Sequence, residues 1–220
     1  MQGVFDIIGP IMIGPSSSHT AGAVRLGIIA GRILGEDAVK AEINLHGSFA
    51  KTYKGHGTDK AIIAGIMGFM PDDERIRDAL SIATKKGMEY QFQPVNLENA
   101  HPNTVVIYLT GKSGRVARVR GASIGGGTIL VTNIDGYDVE LTGQYPAIII
   151  IHRDCPGVIT KVTSILSRYE LNIAFMRVSR QNRGEAAMMI IEMDDVLSQD
   201  VIDECKQVYE VQDAFSIPAI

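Results

Sequence analysis

The chain has 220 residues, of which 45% are hydrophobic and 21% are charged, and its formal net charge at pH 7 is −4. This balance is typical of a globular protein and excludes an intrinsically disordered one. The basic residues form no run longer than Lys85-Lys86, so we expect no nucleic-acid partner. The N-terminus lacks a signal-peptide pattern and no apolar run approaches the ~20 residues that span a bilayer, so we expect a cytoplasmic protein with no membrane partner.

The chain contains two cysteines, Cys155 and Cys205, which lack the close pairing of a zinc or thioredoxin motif. We expect both to be reduced thiols without a structural bridge. An iron–sulfur cluster is ordinarily held by three or four thiolates. We therefore expect no metal site in this chain alone.

Residues 21–34 are mostly apolar or small on every side, which predicts a buried helix ending at Gly35. Alternation around Ile43 and Leu45 predicts a half-buried strand that ends at Gly47-Ser48. Two further helices are predicted at residues 58–69 and 72–86. From about residue 88 the period shifts toward two and predicts five strands, at Glu89 to Val95, Thr104 to Thr110, Arg115 to Arg120, Thr128 to Thr132 and Tyr137 to Leu141. Residues 1–143 therefore read as an α+β domain with an antiparallel sheet.

After residues 143–146 the pattern restarts as βαββαβ, the order of a ferredoxin-like fold. This order predicts a second domain over residues 146–220. Its predicted strands are Ala147 to His152, Ile173 to Arg180, Ala186 to Met193 and Val211 to Ile217, and its helices are Gly157 to Tyr169 and Asp200 to Tyr209.

Three serines and a histidine, Ser16, Ser17, Ser18 and His19, precede the first predicted helix, and Thr20 follows them. A helix start gathers unpaired backbone N–H groups and the positive end of the helix dipole, which favour a carboxylate or phosphate. Histidine moves a proton near neutral pH. The alternative is that one serine is an ordinary N-cap and the others are loop residues.

The second half resembles an ACT domain. The similarity rests on Asp154-Cys155-Pro156-Gly157-Val158 after a strand, Leu171-Asn172-Ile173 entering the next and Gly184-Glu185-Ala186 opening a third. Such domains are generally amino-acid-sensing or dimer-forming modules. The resemblance implies possible effector-binding residues near Asp154, Gly157 and Asn172, and dimerisation through this domain. Alternatively, Gly157 is a close turn and Asn172 a helix C-terminal signal.

The first half resembles the β chain of bacterial iron–sulfur L-serine dehydratase, the two-chain L-serine ammonia-lyase. Six motifs stand in the order of that family: Phe5 to Pro10, Gly14 to Gly22, His46-Gly47-Ser48, Lys54 to Asp59, His101 to Thr104 and Ser123 to Gly127. The resemblance implies conversion of L-serine to pyruvate and ammonia with an α chain that ligates a 4Fe-4S cluster. The same half resembles the allosteric substrate-binding domain of some phosphoglycerate dehydrogenases, which implies an α/β-sandwich-like fold.

With that chemistry in view, His19 and His56 are the acid–base candidates, and the sequence leaves open which one acts. The candidates for binding the substrate carboxylate and other polar groups are Ser16, Ser17, Ser18, Thr20, Asn103, Thr104, Ser123, Gly125, Gly126 and Gly127. We expect His46 to be structural and His101 to be a turn residue. Asp59 caps a helix or orients His56, and Lys54 pairs with a carboxylate or is only solvated.

Two other functions compete with this interpretation. Both halves suit a non-catalytic regulatory module that binds an amino acid or anion, because such folds serve many functions. A scaffold for oligomer assembly is the third alternative, and it leaves the Gly/Ser/His/Thr motifs without a reason. Use of L-threonine, a monovalent ion and the stoichiometry of assembly are open at this point.

Overall fold

The computed structural model describes residues 11–220, so the motif Phe5 to Pro10 lies outside the described residues. The chain divides into two units, the first ending at Asp135 and the second spanning Gly136–Ile220. The predicted domains, 1–143 and 146–220, place the boundary between the two parts several residues closer to the C-terminus, and they stay a prediction. The mixed α and β architecture with two separate sheets confirms the predicted fold class.

Glycines let two helices of the first unit approach closely. A π-helical turn, Ser17–Ala21, leads into α1, Gly22–Leu34. The other helical elements are α2 Gly47–His56, α3 Thr58–Ile66, a 3-10 turn Glu74–Asp78 and α4 Ala79–Lys85. α1 packs on α3, and a Cβ added at Gly65 would lie 2.0 Å from the Val24 carbonyl oxygen. Gly35 ends α1 in the left-handed region, as predicted.

The first unit contains a mixed sheet against which α1 packs. The five strands of this sheet that lie in the first unit are β1 Ala38–His46, β2 Glu89–Val95, β3 Thr104–Gly111, β4 Val116–Gly125 and β5 Thr128–Ile134, in the order β2-β1-β3-β4-β5. β1 and β2 are parallel, so the expectation of an antiparallel sheet is wrong for this pair. Three helices lie between these two strands in the chain, and a crossover of that length is what a parallel pair requires.

The sequence did not predict α2. The helix follows β1 directly, and its N-cap residue His46 makes no side-chain capping bond. Instead the N–H groups of Ser48 and Phe49 donate to the carbonyl oxygen of Pro102, at 2.7 and 3.5 Å. The cap therefore comes from a distant part of the chain, which a local pattern does not reveal. β4 also extends beyond its predicted end and includes Ser123.

The second unit has the predicted ferredoxin-like order. β6 Tyr137–Leu141 is followed by β7 Ala147–Arg153, α5 Val158–Arg168, β8 Ile173–Arg180, β9 Ala186–Met193, α6 Gln199–Lys206 and β10 Val211–Ile217. Four of these strands form an antiparallel sheet ordered β10-β7-β9-β8. Apolar side chains of β7, β9 and both helices make its core. In residues 11–220 no helix is long and apolar enough to cross a membrane.

Candidate active site

The serine and histidine motif folds into the π-helical turn in front of α1. Ser16 is its N-cap: the backbone N–H of His19 donates to Ser16 Oγ at 3.3 Å and that of Thr20 to the Ser16 carbonyl at 2.8 Å. Ser17 and Ser18 are half-buried on the turn. π-helical turns are rare and frequently occur at functional sites. Ser16 therefore acts as the N-cap of the turn, whereas the half-buried side chains of Ser17 and Ser18 are not used as caps.

His19 lies inside the first unit with a hydroxyl at each ring nitrogen. Its side chain is only 8% exposed. Nδ1 lies 3.0 Å from Ser18 Oγ, and Nε2 lies 3.1 Å from Ser48 Oγ at the start of α2. Burial lowers the pKa of His19 below its usual value, and the nearby His56 lowers it further. The ring is therefore neutral at pH 7 and is available as a proton acceptor.

His56, at the end of α2, contacts His19 edge to face. The two ring centroids are 4.9 Å apart and the ring planes are perpendicular. His56 is exposed, and with Thr20 it lines a cleft of about 370 Å³. The structure thus brings both predicted acid–base candidates together and gives them different surroundings.

Three cations line the same cleft: Lys54, Lys60 and Arg77. A cleft lined by one sign of charge raises the local concentration of ions of the opposite sign. Asp59 accepts the Lys60 backbone N–H at 2.8 Å, a local bond in the first turn of α3. The cleft therefore favours an anionic ligand beside His56.

A series of contacts connects His19 with the predicted substrate-binding residues of β3 and β4. Ser48, which holds His19 Nε2, donates its backbone N–H to Pro102 O. In the same turn Asn103 Nδ2 donates to Ser123 O at 3.3 Å, and the Ser123 N–H donates to Asn103 O at 3.1 Å. Thr104 uses its hydroxyl within the turn, donating to the His101 carbonyl at 2.7 Å. Asn103 and Thr104 thus support the turn that holds Ser48.

Two buried hydroxyls beside this series have no hydrogen-bond partner within residues 11–220. They are Thr20 Oγ1 and Ser123 Oγ, and Ser123 is fully buried. A Cβ added at Gly22 would lie 2.1 Å from Ser123 Oγ, so only glycine fits at this contact. Buried polar atoms are normally bonded, and an unbonded one calls for an explanation such as an absent ligand.

The glycine turn between β4 and β5 lies against α1. Gly125, Gly126 and Gly127 all have positive φ, which a side chain would strain. The carbonyl of Gly127 accepts a 2.8 Å hydrogen bond from Arg25 Nη1. These glycines therefore give the turn its shape and bring it to the first turns of α1.

Sequence reasoning missed four residues of this region. Ser48 lies in a quoted motif, and only its tertiary contact shows what its hydroxyl does. Arg25, Lys60 and Arg77 carried no local signal, because isolated basic residues on helices are usually solvated. His46 Nδ1 accepts the Leu97 N–H at 3.1 Å, a structural bond of the predicted kind.

In the second unit, the possible effector-binding residues do not form one cluster. Asp154 Oδ2 accepts bonds from the Gly184 N–H at 2.9 Å and from Arg180 at 2.8 Å, and these lower its pKa. Gly157 has φ 94° at the N-terminus of α5. Asn172 Nδ2 instead donates to Asp194 at 2.7 Å.

The register of β9 explains this separation. Arg153, which precedes Asp154, pairs with Ala186 at the start of β9. Ile173, which follows Asn172, pairs with Met193 at its end. At ~3.4 Å per residue the two ends lie about 24 Å apart. Within one copy, Asp154 and Asn172 are therefore not parts of a single pocket, and their effector role stays a prediction.

Neither cysteine is arranged as a metal ligand. Cys155 and Cys205 are free thiols, and burial raises the pKa of the Cys205 thiol to about 11. A protonated buried thiol is a poor ligand. No group of three or more His, Cys, Asp or Glu side chains is suited to hold a metal ion within residues 11–220.

Comparisons with known proteins agree with both units. The family described as serine dehydratase beta chain matches residues 3–133, and the AHAS small subunit-like ACT domain matches residues 148–215. A probable L-serine dehydratase beta chain of Bacillus subtilis is 43% identical, covering 92% of each chain. The L-serine dehydratase beta chain of Peptoniphilus asaccharolyticus is 41% identical over 89% of this chain and 88% of its own. A D-3-phosphoglycerate dehydrogenase of Synechocystis is 25% identical over 89% of this chain and 35% of its own.

Proposed function

This chain belongs to the serine dehydratase beta chain family, and from this membership we propose that it is the β subunit of an L-serine dehydratase. The enzyme is a lyase that converts L-serine to pyruvate and ammonia. Loss of the Cα proton and the β-hydroxyl releases water and leaves an enamine, whose imine form reacts with water to give the two products. We expect activity only in complex with an α chain.

The contact between His19 and His56 supports this proposal, because it provides an acid–base pair beside a cleft. A neutral His19 accepts a proton, and His56 faces the cleft where a substrate has access. A proton on His56 disfavours a second proton on His19, so the pair holds one proton more readily than two. His56 is therefore the group that meets substrate, and His19 supports it from inside the unit.

The hydroxyl-bearing residues serve the other half of the task, which is to hold the substrate. Among residues 11–220 the buried hydroxyls of Thr20 and Ser123 have no partner, so we assign them to the ligand, and Ser18 presents its hydroxyl between His19 and the start of α1. Gly125, Gly126 and Gly127 allow the backbone to come close to a ligand. Ser16 contributes as the cap that shapes the turn.

The 4Fe-4S cluster belongs to the α chain in this proposal. The residues of this chain do not fit such a cluster, because the Cys205 thiol is buried and protonated and a cluster requires several thiolates. Held by the α chain, such a cluster would supply a Lewis acid for the leaving hydroxyl. The β chain supplies the opposite wall of the site, and the second unit supplies dimerisation or effector binding.

The test is to purify this chain with and without an α chain of the same enzyme under anaerobic conditions, and to measure iron content and pyruvate formation. We expect a serine-dependent activity and a cluster in the complex alone. A stoichiometric cluster on the isolated chain, or a complex with full iron content that forms no pyruvate, would contradict the proposal.

A regulatory module that binds amino acids or anions is the second candidate. It is supported by the cations around the cleft and by the similarity to a D-3-phosphoglycerate dehydrogenase over most of this chain. The same experiment separates the two functions. A regulatory module changes the activity of its partner without being required for it, whereas a β subunit is required for any turnover.

A further inference from the structure

Gly55, in the last turn of α2, is a glycine that the fold of this chain does not require. Among residues 11–220, every other glycine either has a positive φ or would bring an added Cβ within 4 Å of another atom. Gly55 has neither property, because its φ is not positive and a Cβ at this position would meet no atom. Glycine is also the poorest helix former after proline. The reason for this glycine therefore lies outside the packing of the chain.

Gly55 lines the same cleft as His56. It stands between Lys54 and His56 in the sequence, and all three residues line this cleft of about 370 Å³. Sites for small molecules in proteins have volumes of about 300–1,000 Å³, so the cleft has room for an amino acid. A glycine lets a ligand approach the backbone more closely than any other residue does. Gly55 therefore makes room for a ligand next to the acid–base pair.

The charges that line the cleft favour an anionic ligand. Lys54, Lys60 and Arg77 line it, and no Asp or Glu of residues 11–220 does so. Burial raises the pKa of the nearby Asp59 carboxyl, and the charges of both lysines oppose that shift, so these two cations already act on a carboxylate of the chain. The anionic group of an amino acid is its carboxylate, which is the end of the substrate that such a cleft attracts.

Arg77 is the cation of the cleft that is able to hold this group in a fixed orientation. Within residues 11–220 it forms no hydrogen bond and no ion pair. By contrast Arg75, in the same 3-10 turn, donates from Nε to Asp73 Oδ1 at 2.9 Å. A guanidinium presents planar, parallel N–H groups that match the two oxygens of a carboxylate, whereas a lysine is a point charge.

We propose that Gly55 is a specificity-determining residue of the candidate active site, because its missing side chain leaves the space in which the substrate carboxylate binds, held by Arg77. This inference rests on the proposed function and assigns the part of that site which receives the carboxylate. The substrate Cα is bonded directly to the carboxylate carbon, so it stays in the cleft that His56 lines. A side chain at position 55 takes the place of the carboxylate and leaves the fold undisturbed.

The first test fills this space in the assembled complex with Gly55→Ala and Gly55→Leu. For Gly55→Ala we expect the KM for L-serine and the inhibition constant of L-alanine to rise about 5- to 100-fold, the range that overpacking by a methyl group gives. Gly55→Leu should raise both constants further. In urea unfolding Gly55→Ala should be at least as stable as wild type, because alanine is the better helix former.

Ser81→Ala is the matched control for a better helix former at an exposed site. Ser81 is exposed on α4 and does not line the cleft. Its variant should change the KM for L-serine less than about threefold, as expected for a surface substitution.

The second test uses Arg77→Gln, with Arg75→Gln as its control. Inhibition constants are measured for L-alanine, which has the carboxylate without a leaving hydroxyl, and for L-alaninamide, which lacks the carboxylate. For Arg77→Gln we expect the constant of L-alanine to rise about 10- to 100-fold, the scale of hydrogen bonds to a charged group, while that of L-alaninamide changes less than about threefold. Combined with Gly55→Ala, the two losses should be less than additive, because both act on one carboxylate.

Unchanged constants in Gly55→Ala, equal changes for both inhibitors in Arg77→Gln, or additive losses in the double variant would overturn the inference. So would a wild-type complex that binds L-alanine no more tightly than L-alaninamide. A Gly55→Ala chain that associates more weakly with the α chain but binds L-alanine normally once assembled would also overturn it, because the space would then receive the partner.

Co-purification with the α chain establishes that each variant is assembled. If the wild-type complex forms no pyruvate, the proposed function fails, and the two inhibitors are then compared by calorimetric binding to the complex. Binding of L-alanine that is lost in Gly55→Ala and in Arg77→Gln supports the carboxylate site even there, and binding that persists overturns it.

Discussion

Burial and the neighbouring His56 determine how the His19 side chain titrates. Its folded-state pKa lies below the usual value of 6.5, because burial and His56 both disfavour the charged ring. The unfolded chain therefore binds more protons than the folded chain below about pH 6.5. The contribution of His19 to the free energy of unfolding is fully present above that pH, and it is lost as the pH falls through the lowered pKa. A base of this kind works best near neutrality and fails in acid.

Replacing His19 or His56 by alanine in the assembled complex should lower kcat for L-serine. A positioned acid or base typically contributes about 10²–10⁴-fold, so at least one of the two variants should fall by that order. His101→Ala is the control, since His101 is exposed and lies outside the pair. Turnover, iron content and thermal unfolding are measured together. Three variants within a few-fold of wild type would show that neither histidine carries the proton.

Ser48→Ala tests whether Ser48 positions His19. We expect kcat to fall about 5-fold with KM little changed, because a hydrogen bond to the ring is worth about 1 kcal/mol. The ring ¹⁵N shifts of His19 should move as Nε2 loses its partner. Thr52→Val is the matched control in the same helix, since Thr52 donates only to the Ser48 carbonyl. Unchanged ¹⁵N shifts in Ser48→Ala would exclude the contact.

The residue types of the candidate site could be predicted from the sequence, but the hydrogen-bond partners of several site residues could not. The spacing of Ser16 to Thr20 before an apolar segment already indicated a helix start with polar groups, and the structure forms a turn there. Ser48 and Arg25 act through contacts with residues 29 and 102 positions away. No local pattern encodes such contacts, so they required the fold.

At the scale of elements, close packing of α1 and α3 depends on absent side chains. Gly65→Ala should lower the free energy of unfolding by about 1–3 kcal/mol, because the new Cβ meets the backbone of α1. Gly55→Ala is the control, since a Cβ at Gly55 in α2 meets no atom within 4 Å. Alanine is the better helix former, so this variant should gain ~0.5–1 kcal/mol. Urea unfolding measures both, and a Gly65→Ala variant as stable as wild type would contradict the packing argument.

The elements that the sequence predicted well are those with a strong local signal of their own. α1 follows from an apolar segment that ends at Gly35, and the βαββαβ order of the second unit follows from apolar periodicity and turn residues. α2 has little apolar periodicity and takes its cap from Pro102, and the parallel β1–β2 pair is set by the crossover. These features depend on tertiary contacts, which outweigh local preference.

At the scale of the whole molecule, the two units suggest a division of labour. All candidate catalytic and substrate-binding residues lie in the first unit, and the possible effector-binding residues lie in the second. A domain with its own core can in principle fold alone. The apolar cluster of β7, β9, α5 and α6 is such a core for the second unit.

The place of the cut decides how well a truncated chain behaves. β6 belongs to the second unit, where it contacts β8 and β9, and its Val139 and Leu141 are buried. A chain that stops at residue 143 keeps β6 and exposes those side chains once β8 and β9 are removed. A chain that stops at Asp135 does not. We therefore expect residues 1–135 to fold and to stay more soluble than residues 1–143, as seen by circular dichroism and light scattering.

In complex with the α chain, residues 1–135 should still support pyruvate formation, and they should lose the self-association or the regulation that the second unit provides. ACT-like units commonly pair with one another, so removal of the second unit should give assemblies with fewer copies, or an activity that no longer responds to amino acids. Light scattering and serine-dependent pyruvate release are measured on the same preparation. Full-size assembly without activity would mean that the second unit positions the catalytic partner, because the site residues themselves would all still be present.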